Sequence, residues 1–275
     1  MGYVKAFLIY LSLLLIGLLF ITPIVFMISG SLTPDAGVFA QAGGWDALWS
    51  AGVSLDNYRD VFIRVDFMGY LFNSLFINGM IVGVGLMVNS LAGYAFARLQ
   101  WYGRNLLFKL VLAVLIIPLE AIAVPLFYMV SLFGWRDTYW VQILPFIANA
   151  FSIYLFYTFF IGMPREMEEA ARIDGAGVLR TFYCIIVPNA KPVFASVAVL
   201  TFLTQWGAFL WPLMVTSGED VRPLPLAIAT FYSLPPLQWG DIFAFGVMMV
   251  APILVLFLLF QPWFVRGVVT SGIKG

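Results

Sequence analysis

Long apolar runs separated by short polar stretches set the rhythm of this 275-residue chain. Six of them approach or exceed the ~20 residues that a helix needs to cross the hydrocarbon core of a bilayer. They cover about residues 6–34, 69–97, 106–132, 139–161, 192–215 and 242–264. The first follows Lys5 and carries no charge as far as Pro34, and no clear small-residue cleavage site follows Pro23. It is longer than the ~7–15 residues of a signal-peptide core, so it is expected to remain as a spanning helix. The pattern predicts an all-α polytopic membrane protein: six transmembrane helices in a single domain over residues 1–275, both termini on one side.

Polar and helix-breaking residues inside these runs mark where they are not plain lipid-facing helices. The second run holds Gly79, Gly83, Gly85, Ser90 and Gly93, and the Gly79/Gly83 pair has the spacing that lets helix backbones approach closely. Asn73, Asn78 and Asn89 in the same run are expected to face other helices rather than lipid. The third contains Pro118, Glu120 and Pro125, and prolines so close predict a broken helix, tolerated where it is buried in protein or lines a cavity. Glu120 lies eleven residues beyond Lys109, about 16 Å into the membrane at ~1.5 Å per residue. An intramembrane carboxylate is a functional candidate, the alternative being a group protonated or hydrogen-bonded to backbone freed by the prolines. The fourth carries Gln142, Pro145, Asn149, Ser152, Tyr154 and Tyr157, and the fifth Gln205, Trp206, Gly207, Phe209 and Trp211. Gln205 and Trp206 stand ~100° apart on a helix and could flank one cavity without stacking on each other. With Glu120 and Asn149 they form the candidate solute path; packing of the bundle is the other reading of the tryptophans.

One polar stretch interrupts the apolar rhythm, residues 163–191, and it contains two short amphipathic helices. In the first, from about Arg165 to Asp174, Met163, Met167, Ala170 and Ala171 share one face. Glu168 and Arg172 are spaced i,i+4 on the other, in the favourable order for an ion pair. Gly175 supplies the residue that enters the left-handed region and ends the helix. The second places Val178, Leu179, Phe182, Tyr183 and Ile186 on one face and ends at Pro188. A hairpin with two such narrow stripes is too small to fold alone and suits a groove on a partner.

Composition supports the membrane reading and narrows the chemistry. The chain is 63% hydrophobic and 10% charged, against about 25% charged residues in soluble domains. Its net charge of zero argues against a nucleic-acid partner. There is no histidine, so the commonest general base and metal ligand are missing, and no metal site is expected. The single Cys184 cannot form a disulfide within the chain. Lys5, Arg98, Arg104, Lys109, Arg165, Arg172, Arg180, Lys191, Arg266 and Lys274 fall on one side of the six spans. Arg59, Arg64, Arg136 and Arg222 fall on the other, and a bias of ten to four places both termini and the hairpin in the cytoplasm. The outer segment 31–68, with Trp45, Trp49, Tyr58 and five aspartates, reads as a docking region or as an interfacial aromatic belt. None of the four lysines follows a glycine, so the chain has no phosphate-binding loop of the Gly-Lys-Ser/Thr kind and is not expected to hydrolyse ATP.

The spacing Glu169-Ala170-Ala171, three residues, Gly175, nine residues, Ile185-Ile186-Val187-Pro188 resembles the EAA loop of ABC-importer permeases, with Val187 where leucine is usual. Asp174-Gly175-Ala176 is similar to the sugar-importer version of that loop. Ser54-Leu55-Asp56-Asn57-Tyr58, Ala92–Arg98 and the glycine-rich tail 265–275 also resemble segments of carbohydrate-uptake permeases of the maltose type (second permease). Gly207 departs from that pattern, which usually has asparagine there. The resemblance implies a type I ABC importer permease in a bacterial or archaeal cytoplasmic (inner) membrane. It would pair with a homologous permease subunit, two ATPase subunits that bind ATP and Mg, and an extracytoplasmic solute-binding protein. Glu168, Glu169, Ala170, Ala171, Asp174, Gly175, Ala176, Ile185 and Pro188 would form the ATPase-coupling loop. The solute implied is a sugar or oligosaccharide, with a glycerol-3-phosphate-like solute as the alternative. An ion-coupled secondary carrier is the reading from another class. Sparse intramembrane ionisable groups and the lack of a repeat pair weigh against it.

Overall fold

The structure, a computed structural model, describes residues 2–34 and 52–272, with backbone alone for residues 2, 4 and 260–272. Trp45 and Trp49 of the outer segment therefore lie outside the described residues, as do the side chains of the tail. Fourteen α-helices follow one another among the described residues, with no strand. They are α1 (Gly2–Leu32), α2 (Asp56–Arg64), α3 (Phe67–Arg98), α4 (Arg104–Val114), α5 (Leu119–Leu132), α6 (Tyr139–Ile147) and α7 (Ala150–Ile161). Then come α8 (Glu166–Ile173), α9 (Val178–Thr181), α10 (Val187–Asn189), α11 (Lys191–Trp206), α12 (Leu210–Val215), α13 (Leu224–Phe231) and α14 (Trp239–Gly272).

Among the described residues, four stretches are long and apolar enough to cross a membrane: Lys5–Leu32, Phe67–Arg98, Tyr139–Ile161 and Trp239–Leu259. Two bent pairs raise the count to six if each is one span: α4 with α5, at 102°, and Val178–Asn189 with α11, at 81°. The expected breaks need correction in detail. Pro118 stands at the bend before α5, whereas Pro125 sits inside α5 without ending it. The fifth run does not continue to Val215, because α11 stops at Trp206, with Gly207 as its C-cap, and α12 restarts at Leu210.

The helices cluster into two compact units, Met1–Gly69 with Leu226–Ile253, and Tyr70–Pro225 with Leu254–Gly275. In the first, Asn57 at the start of α2 is buried and donates to the carbonyls of Ser31 and Thr33, at 2.9 and 2.8 Å. That closes the C-terminal end of α1, whose last carbonyls have no intrahelical donor. Arg64, at the other end of α2, forms an ion pair with the fully buried Asp241 at 2.6 Å. It also donates to Gln238 and to the carbonyls of Leu234 and Pro236. Gly30 is required where it stands, since a Cβ there would come 2.5 Å from the Phe243 ring.

In the second unit the core is aromatic: Tyr94, Phe156, Phe160 and Phe182 pack with Ile186, Val193 and Val197. Helices α3 and α7 meet closely at Gly93, where a Cβ would lie 2.6 Å from Phe156 Cβ. The close approach is therefore at Gly93, and not at Gly79 and Gly83, which have open space around them. All three asparagines of α3 are buried, as expected. Asn89 mends the interruption between α6 and α7, donating to Ile147 O and accepting from Asn149 N, both at 2.9 Å. Asn73 donates to the carbonyls of Asp220 and Arg222 and accepts from the Tyr139 hydroxyl at 2.6 Å.

Candidate functional site

The hairpin forms where the sequence places it, and a deeper set of contacts holds it. Helix α8 ends at Ile173, and just past its C-cap stands Gly175, whose φ of +79° is the left-handed conformation a side chain would resist. The N–H groups of Asp174, Gly175 and Ala176 return to Ala170, Arg172 and Ala171, satisfying the last carbonyls of α8. The second half is not one regular helix. After α9 the chain widens into a π-turn over Phe182–Ile186 before α10. Pro188 offers no N–H to the carbonyl of Cys184 and its ring crowds it, so a wider i→i+5 turn one step earlier relieves the conflict. The N–H of Val187 reaches Phe182 O across that turn.

Two expectations about the faces are corrected. Of the predicted apolar face of the second half, Phe182 and Ile186 are buried, whereas Val178, Leu179 and Tyr183 are 47%, 64% and 50% exposed. Thr181 takes a buried place instead. Glu168 was expected on the outer face beside Arg172, but it is buried and its ion-pair partner is Arg98 at the end of α3. Nε of Arg98 lies 3.1 Å from Oε1 of Glu168, and both side chains are at least nine-tenths enclosed. The contact is one of charge rather than an aligned hydrogen bond, since neither atom has a hydrogen-bond partner among the described residues. Arg98 also donates to the carbonyl of Met163 at 2.5 Å, and Tyr94 donates to Oε2 of Glu168 at 3.5 Å. Phe182 packs 5.1 Å from the Tyr94 ring, which completes the seat. Neither Arg98 nor Tyr94 was singled out as a partner of the hairpin. The available signal was Glu168 itself, since a carboxylate next to a buried alanine face requires a cation.

Outward on the hairpin are, among others, Glu169, Ala170, Arg172, Ile173, Asp174, Gly175, Val178, Leu179, Arg180, Tyr183 and Cys184, with Ile173 at 87% exposed. Ala171 is buried, Ala176 and Ile185 are half-buried, and Pro188 is exposed. Beside it opens a cavity of about 340 Å³ lined by Arg98, Arg165, Arg172, Glu168 and Glu169 with Leu99 and Gln100.

The candidate solute-path residues separate. Gln205 and Trp206 line one small cavity of about 20 Å³ together with Ser74, Asn78, Gln142 and Trp211. Trp206 is 1% exposed and stacks on Phe202 at 5.0 Å. Glu120 and Asn149 do not reach this cavity. Glu120 is exposed in the first turn of α5, where the helix dipole favours a carboxylate. Asn149 caps α7 by accepting from the N–H of Ser152 at 2.9 Å.

The family described as "Binding-protein-dependent transport system inner membrane component" matches residues 68–270 of the chain. An arabinooligosaccharides transport system permease protein, AraQ, of Halalkalibacterium halodurans is 36% identical over 224 residues, 81% of this chain and 80% of that protein. An sn-glycerol-3-phosphate transport system permease protein, UgpE, of Yersinia enterocolitica is 34% identical over 227 residues, 82% and 78% of the two chains. Among solved structures, a bacterial ABC transporter involved in the import of the acidic polysaccharide alginate superposes with a TM-score of 0.86 at 21% identity. That match covers 95% of this chain and 97% of the other, and it shows a shared fold.

Proposed function

Because the chain belongs to the binding-protein-dependent transport system inner membrane component family, we propose that it passes a sugar or oligosaccharide through the membrane for an ATP-driven importer. ATP hydrolysis takes place on two separate ATPase subunits, a solute-binding protein delivers the solute outside, and a homologous permease supplies the other half of the path. The excess of Lys and Arg on the hairpin side puts both termini and the hairpin in the cytoplasm, facing those ATPases.

The observation that carries this reading is the hairpin's division into two faces. One face is locked into the chain through Glu168, Phe182 and Ile186, while Glu169, Ile173, Val178 and Leu179 point out. A helical hairpin with exposed apolar residues among exposed charges is suited to sit in a groove of another subunit. Because its other face is seated on the ends of α3 and α7, closing of the ATPase pair moves those helices with the hairpin.

For the solute, the relatives' names point to sugars or to glycerol 3-phosphate. The cavity at Gln205 and Trp206 has neutral polar groups and aromatic rings and no Lys or Arg among its lining residues. A phosphate wants a guanidinium or ammonium partner, whereas a sugar wants aromatic faces beside hydroxyl-binding amides. The neutral lining favours the sugar. The test is reconstitution of the complex with Glu169→Lys and Gly175→Pro. Each is expected to insert normally, to lose uptake and to uncouple ATP hydrolysis from the binding protein. Wild-type uptake in both would remove the coupling role.

A further inference from the structure

Two buried side-chain oxygens lack a hydrogen-bond donor among the described residues, and the residues that carry them line one cavity. Asn78 and Gln142 are 3% and 2% exposed and both line the small cavity at the break between α11 and α12. The orientation of each amide is set by its nitrogen. Asn78 Nδ2 donates to Ser74 O at 2.8 Å, and Gln142 Nε2 donates to Val221 O at 2.7 Å. Turning either amide over would set its oxygen against a carbonyl oxygen, so Oδ1 of Asn78 and Oε1 of Gln142 are acceptors. Neither has a partner among the described residues.

Two of the donors nearby are committed elsewhere. The indole N–H of Trp211 goes to Val141 O at 2.9 Å. The N–H of Leu224 goes to the Ser74 hydroxyl at 2.7 Å. A buried acceptor left unpaired is costly, and native structures avoid two in one place. The cavity measures about 20 Å³, above the roughly 10–15 Å³ that one water needs. It is also too small for a sugar ring.

We propose that this cavity is a binding site for an O–H donor, occupied in this conformation by one water that gives a hydrogen each to Asn78 Oδ1 and Gln142 Oε1. A site of this kind at a helix break also suits a hydroxyl of a polyhydroxylated solute when the break opens. That second occupant rests on the transport reading above; the water does not.

The experiment is radiolytic footprinting in ¹⁸O-water of the assembled transporter, read by mass spectrometry, with water itself as the probe. Trp206 and Trp211 are each 1% exposed, so oxygen incorporated there reports a bound water rather than bulk solvent. The expected result is labelling at Trp206 or Trp211 in the wild type, and its loss in the Asn78→Leu/Gln142→Leu double variant while labelling at exposed residues is unchanged. No labelling at either tryptophan in the wild type overturns the site, as does equal labelling in the double variant. Should the double variant not assemble, a high-resolution cryo-electron microscopy map of the wild type decides: density within hydrogen-bond reach of both oxygens supports the site, and a dry cavity overturns it. Repeating the footprint with arabinotriose separates the sources. Protection of the tryptophans assigns the acceptors to a sugar hydroxyl, and unchanged labelling assigns them to a resident water. Either outcome keeps the O–H donor site.

Discussion

At Glu168 a carboxylate is taken out of water in a chain with few charges, and the side chain that answers it stands seventy positions upstream at Arg98. Local spacing pointed to Arg172, because i,i+4 pairs are the contacts a single helix can make. The true partner is tertiary and becomes visible only once α3 and the hairpin meet. Removing one member leaves the other charge buried and uncompensated, which costs about 3–5 kcal/mol, whereas replacing both by apolar residues is far milder. Arg98→Leu or Glu168→Leu is therefore expected to lower thermal stability in detergent strongly. The double variant is expected to recover most of the loss, and a double-mutant cycle on unfolding midpoints checks it. Trp206 obeys a different logic. Enclosed and stacked on Phe202, it is core as well as cavity wall. Trp206→Ala should cost about 3–5 kcal/mol and reduce uptake in proportion to the amount of assembled complex. Gln205→Ala should cost uptake less, about 1 kcal/mol for one neutral hydrogen bond to the solute. If it sits on the solute path, it changes uptake per complex. Quantifying assembled complex beside uptake separates the two residues.

Among the elements, those whose signal is a single residue were legible and those whose signal is a conflict were not. Gly175 ends α8 as its lack of a Cβ requires, and Pro118 marks the bend before α5. The π-turn arises from competition between a continuing helix and Pro188, and no periodicity reports how such a competition is resolved. The same holds for Asn89, whose one amide repairs the break between α6 and α7. The turn between α5 and α6 yields an element-scale prediction about pH. Asp137, at φ +55°, accepts from the backbone N–H groups of Ser217 and Gly218, tying this turn to the segment after α12. Those two donors, Ser217 first, hold its carboxyl below the usual aspartate range, with a smaller contribution from Arg136. A lowered folded-state pKa means the contribution is complete above the unfolded value of about 3.9 and is lost as pH falls through the lower folded one. Asp137 is solvent-exposed, so the effect is modest. The unfolding temperature of wild type is expected to fall more steeply than that of Asp137→Asn below about pH 4. Parallel slopes in that window would show that the carboxylate tie carries no stability.

On the scale of the whole chain, hydropathy alone delivered the all-helical fold class and the apolar stretches, because a bilayer punishes polar backbone so heavily that few alternatives survive. What it could not deliver was the side of close approach. Gly79 and Gly83 have the spacing of a packing motif but stand in open space, while Gly93 takes the contact because Phe156 of α7 lies opposite it. A motif gives the capacity for contact, and the partner helix decides where it is used. Orientation is a separate matter, resting on the ten cations against four, and Cys184 supplies a single-residue test of it. Its thiol is exposed on the hairpin, beyond the buried Phe182 and Ile186, and it is the only cysteine in the chain, so no background labelling arises from the permease itself. A membrane-impermeant maleimide is expected to modify it in inside-out vesicles and to leave it untouched in intact spheroplasts. Docked ATPases would cover this face, so vesicles lacking them should react faster than vesicles holding the full complex. Modification from the outside would put the hairpin on the wrong side of the membrane, and the coupling role would fall with it.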